Sequence, residues 1–112
     1  MDSAQIYSST LEQLNKTVVT LTSAEWDAKV QGATPEQRRN ALAELLRVQH
    51  TRLVLGNAAL QDIAQQLKTN EQSLLDGQKA VQAELDKLAT VEGVLKAISS
   101  LVNIVARVVP LI

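Results

Sequence analysis

The chain contains one histidine, His50, and no cysteine, so few groups are available for chemistry. Histidine serves as a general acid or base near neutral pH and as a metal ligand, but either role needs a second group held against the ring. The di-metal carboxylate sites of helical bundles use a Glu-x-x-His unit from each of two helices. Here a single histidine stands three positions after Arg47. His50 is therefore read as a ring on the flank of an apolar seam. The absence of cysteine removes disulfides, thiolate nucleophiles and sulfur-ligated metals together.

Glu84 falls on the weaker of two helical seam rows, where burial would perturb a carboxylate. Its expected place is a partly wet flank. The four glycines are scattered and form neither a phosphate loop nor a nucleophile elbow. Arg38, Arg39, Arg47 and Arg52 give one stretch a positive bias that would suit a phosphate or an acidic partner. Glu36 and Glu44 are interleaved with them, and an ordinary solvated face is the preferred reading. No catalytic residue, metal or cofactor is expected, and the chain reads as a non-enzyme.

Composition narrows the partners. The net charge is -1, there is no Phe, and Tyr and Trp occur once each. A nucleic-acid binder needs a basic field or stacking platforms, and neither is present. The first residues, Met1-Asp2-Ser3-Ala4-Gln5, lack the basic start and apolar run of a cleaved leader. Cytoplasmic residence, or export without a cleaved signal, is the expectation, with membrane association as an alternative.

The elements that must position these groups are announced by a row at seven-residue intervals. It comprises Leu46, Leu53, Leu60, Leu67, Leu74, Val81, Leu88, Leu95, Val102 and Val109. The row three residues further on is mixed: Gln49, Gly56, Ile63, Asn70, Gly77, Glu84, Val91, Ile98, Val105 and Ile112. One perfect row beside one defective row describes a coiled-coil-like seam with weak points. Thr69 and Gln72 have the spacing of a helix-starting box, which predicts a turn near Asn70. A single helix from Pro35 to Val109 would be roughly 110 Å long and could exist only as a multimeric coiled coil. A hairpin is the preferred reading.

Ala4, Tyr7, Leu11, Leu14, Val18 and Leu21 step by three and four, which predicts an amphipathic helix over about 3–21. Thr22 and Glu25 form a box spacing before a short helix at about 23–31, ended by Gln31-Gly32. Trp26 on that helix is a plug for the end of the core or, alternatively, a partner-binding anchor. Thr34-Pro35-Glu36-Gln37 is the clearest start signal, with Thr34 as cap and Pro35 at the first helical position. A long helix follows to about 68, interrupted by Gly56, which a close helix crossing would explain. A second spans about 71–109 and is stopped by Pro110.

Between Val94 and Ile112 the only polar side chains are Lys96, Ser99, Ser100, Asn103 and Arg107. This segment has three readings. It is the covered strut of a bundle, an oligomer or partner interface, or a helix lying on a membrane with Lys96 and Arg107 toward the headgroups. The whole is expected to be an all-α, elongated antiparallel bundle forming a single domain over 1–112. The expected function is a helical protein–protein interaction or self-assembly module, partnered by a second copy or another helical protein. The candidate interface is Trp26, Leu95, Ile98, Leu101, Val102, Val105, Val108 and Val109. A membrane surface contacted through 94–112 is the alternative.

Overall fold

The computed structural model describes residues 1–110 and is all-helical over them. Helix α1, Ser3–Leu21, starts where expected, in a capping box: the Gln5 amide donates to Asp2 Oδ1 at 2.8 Å, and the Asp2 amide to Gln5 Oε1 at 3.0 Å. Helix α2, Ala24–Gln31, is capped by Ser23 and not by Thr22, which ends α1. Helix α3, Pro35–Asn57, opens with the expected Thr34–Gln37 box.

The two long helices expected over 35–68 and 71–109 are each broken. Ala58 and Ala59 turn extended, and a separate α4 runs Leu60–Thr69. Asn70 then divides α4 from α5, Glu71–Lys87, so the discontinuity near Asn70 is present. Leu88 adopts the left-handed conformation (φ 46°, ψ 42°) and ends α5. Thr90 caps α6, Val91–Val105, accepting from the Gly93 amide at 3.0 Å. Loose turns carry the chain from Val105 to Val109, so α6 ends before Pro110. Ile112 and Leu111 lie outside the described residues.

Side-chain bonds between the helices give their directions. Tyr7 meets the end of α3 and Asn15 meets Arg52, so α1 and α3 run antiparallel. Thr10 bonds Gln78 and Gln13 bonds Gln82, so α1 and α5 run parallel. Arg47 bonds Ser99 and Asn103 across α3 and α6, while Gly77 of α5 lies under Leu101 and Ile104 of α6. The helices α1, α3, α6 and α5 thus ring a common core, α4 packs against α1 near its start, and α2 leans on α1 and α3. The described chain measures 44 × 26 × 18 Å. This is a helical bundle, but not one built on two long antiparallel helices. The expected hairpin would set the last helix antiparallel to the helix after Pro35, whereas α6 sits beside α3 and progresses in the same direction.

Ile6, Leu14, Val48, Leu55, Leu67, Leu74, Val81, Val94, Leu101 and Val105 form the dry centre. The buried face of α1 is rotated from the expected one: Ala4 is exposed, while Thr10, Gln13 and Thr17 are buried. Their polarity is satisfied locally. The Thr10 and Thr17 hydroxyls donate to carbonyls one turn back, at 2.7 and 2.8 Å. Gln78 and Gln82 complete the polar joint with α5. Such buried pairs cost little when fully bonded, and they set the register of α1 on α5.

Candidate interaction surface

The eight side chains expected at an interface all lie inside the chain's own bundle. Leu95, Ile98, Leu101, Val102 and Val105 line the inner face of α6, Val108 and Val109 close its end, and Trp26 is buried under α2. The covered-strut reading of 94–109 therefore describes their place. The polar stripe of that segment has a use within the fold. Arg47 Nη1 donates to Ser99 Oγ at 3.1 Å and to Glu44 Oε1 at 3.2 Å, and Nη2 donates to Asn103 Oδ1.

The exposed aliphatic side chains are elsewhere. Leu42, Leu46 and Leu53 on α3 are 60%, 57% and 61% exposed. At 100° per residue they fall within about 40° of one another around the helix, over a length of about 16 Å. Met1 and Val19 are also exposed, but Met1 is terminal and Val19 stands on α1 among Glu12, Asn15, Lys16 and Thr20. Singly exposed apolar residues are ordinary on protein surfaces, whereas a row on one face is not. Leu46 and Leu53 head the seven-residue row read from the sequence, and Leu42 stands seven residues before Gln49, in phase with the companion row. On α3 that row points out of the bundle, and from Leu67 onward it points in.

Arginines flank the leucines. Arg39 is exposed, Arg52 Nη1 reaches Asn15 Oδ1 at 3.4 Å, and Arg38 Nη1 donates to the Ala33 carbonyl at 3.0 Å, tying down the end of α2. Among the described residues no ion pair engages Arg38, Arg39 or Arg52. The two acids of α3, Glu36 and Glu44, line a different groove, against Glu92, Lys96 and Ser99 of α6. The outward face of α3 is therefore apolar along its centre and cationic at its edges. His50 is exposed at one of those edges.

At the α2 end the row runs into a cleft of about 300 Å³ between α2 and α3. Trp26, Val30, Ala41, Leu42 and Leu45 line it, with Asp27 and Arg38 as its charged members. Leu42 belongs to both the row and the cleft wall, so the two are one continuous surface.

Chemistry is sparse. The larger groove between α3 and α6, about 760 Å³, holds Glu36, Glu44, Glu92 and Lys96 without a histidine or thiol. Glu44 Oε2 is buried there with no hydrogen-bond partner among the described residues. Glu84 is half-buried against Gly93 in the first turn of α6, where a carboxylate suits the positive end of the helix. No group of three or more His, Asp or Glu among the described residues is arranged to hold a metal ion. Glu71 stands apart at the start of α5. The hydrogen bond from Lys68, and then that from the terminal amine, hold its carboxyl below the usual carboxylate range.

No helix among the described residues is long and apolar enough to cross a membrane. No family model, curated protein or solved structure matches the chain.

The sequence did not separate these buried side chains from the exposed leucines, because periodicity reports that a face is apolar, not which neighbour it meets. The missed signal lies in α3 itself. Its apolar residues point to opposite sides, with Val48 and Leu55 inward and Leu42, Leu46 and Leu53 outward. The inward side meets α1 and α6, whereas no element of the described bundle covers the outward leucines.

Proposed function

We propose that this chain is a non-enzymatic interaction module that docks a helix on the outward face of α3. The observation that carries this reading is the row of three exposed leucines at four- and seven-residue spacing. That spacing is the a/d pattern of a helix–helix seam, and its narrowness fits one opposing helix. Helix-in-groove recognition uses such anchors, with a pocket at one end fixing the register. The α2–α3 cleft is placed to act as that pocket.

The expectation of membrane contact through 94–112 is not carried forward, because Val94, Leu95, Ile98, Leu101 and Val102 are buried within the fold. The test is a pair of charge substitutions, Leu46→Lys with Leu53→Lys. Self-association or partner binding, read by light scattering and by pull-down, should be lost, while the unfolding midpoint stays within the range of surface substitutions. Unchanged association would remove this face from consideration.

A further inference from the structure

Resting on that docking reading, the distribution of charge on α3 specifies the partner further. We infer that the occupant is an acidic amphipathic helix from another protein, with leucine-type anchors and carboxylates on both flanks. Arg39 and Arg52 stand on opposite edges of the leucine row, and no ion pair of the described residues neutralises them. Arg38 adds a third positive charge where the row enters the α2–α3 cleft. The acids of α3 are turned toward α6.

A second copy of the chain fits this face poorly. Two α3 helices packed antiparallel through their leucines would bring together two faces that each carry Arg38, Arg39 and Arg52 against a single carboxylate, Asp27 of the cleft. A flat anionic lipid surface would also satisfy the arginines, but an interfacial helix needs a broad apolar face. Here the leucines form a narrow row, broken by the polar Gln49. A narrow seam with cationic edges matches an opposing helix whose seam is apolar and whose edges are acidic.

Trp26 supplies the readout. It is the only tryptophan, 3% exposed, and it lines the cleft at the end of the row. The full chain is titrated with two synthetic helical peptides of about 18 residues, roughly 27 Å long. Both carry leucines at alternating three- and four-residue spacing. One has glutamate at the flanking positions and the other lysine. Trp26 fluorescence follows cleft occupancy, and amide shifts in α3 report the rest of the face.

The expected result is that the glutamate peptide binds about tenfold more tightly than the lysine peptide at low salt, with the gap closing several-fold as salt screens the edges. The variant Arg39→Glu with Arg52→Glu, folded by circular dichroism, should reverse the preference. Arg38 is left intact because it holds the end of α2. Equal binding of both peptides would overturn the acidic partner and leave the docking face standing. Binding of neither peptide, with a mass that doubles with concentration and is restored to that of one chain by Leu46→Lys, would identify a second copy as occupant and overturn the inference. Binding only to vesicles of phosphatidylglycerol and phosphatidylcholine would overturn both the inference and the docking of a helix. No response to peptides, vesicles or concentration would do the same.

Discussion

Leu88 is the one non-glycine residue among the described residues with a positive φ. An L-residue in the left-handed region is strained by roughly 1–2 kcal/mol, and here the burial of the leucine side chain offsets it. Two substitutions separate the terms. Leu88→Ala removes most of the buried side chain and keeps the strain, whereas Leu88→Gly removes both. In a helix interior glycine is worse than alanine by about 1 kcal/mol. At position 88 the order should invert, with the glycine variant the more stable of the two by about 1 kcal/mol in urea unfolding. The ordinary order would mean that Leu88 is not left-handed in solution. Gly77 makes a different demand. A Cβ there would lie 3.2 Å from Leu101 Cδ1 and 3.3 Å from Ile104 Cδ1, so this glycine sets the approach of α5 to α6. Gly77→Val should destabilise by about 1–3 kcal/mol through overpacking, read by the same unfolding curves. At Gly56, where the sequence suggested a close crossing, an added Cβ meets only a Leu11 methyl at 3.8 Å.

The elements owe their shape to breaks whose chemistry differs. At Ala58–Ala59 the Tyr7 hydroxyl donates to the Leu55 carbonyl at 2.8 Å, with the Gly56 and Ala58 carbonyls at 3.3 Å. Helix α1 thus serves the freed end of α3. Tyr7→Phe should cost about 1 kcal/mol and speed amide exchange around residues 55–60 more than in α6. Uniform exchange would show that the hydroxyl does not hold the break. This break was only partly legible in the sequence: Gly56-Asn57 is a stop signal, but no proline follows it and Ala59, which precedes α4, offers no side-chain cap. The second break carries a local signal, since Thr90 is followed by Glu92 in the pattern of a helix start. The Thr34 box and the start of α1 were readable because each is a local signal, and the discontinuity falls at Asn70 as expected although the Thr69–Gln72 box itself does not form. Tertiary bonds such as that of Tyr7 leave no trace in local spacing.

Over the whole molecule, one arithmetic row of apolar residues is divided among four helices, and its heading members face outward while the later ones face the core. That division separates the core from the proposed docking surface by stability. Val102 is fully buried and Leu95 nearly so, both on α6, and a hydroxyl there would gain no apolar burial and leave a void. Leu95→Ser and Val102→Ser should each cost at least about 2 kcal/mol. Leu46→Lys and Leu53→Lys replace side chains already more than half exposed, and should stay within about 0.5 kcal/mol each. Because the two groups act through different surfaces, the docking variants should alter association without moving the urea midpoint. The core variants should move the midpoint first, and association only through loss of the fold. A molecule in which Leu46→Lys unfolded the chain while Val102→Ser was silent would have its leucine row inside and α6 outside, the reverse of this bundle. Urea unfolding of the four variants side by side decides it, because the two arrangements predict opposite rankings.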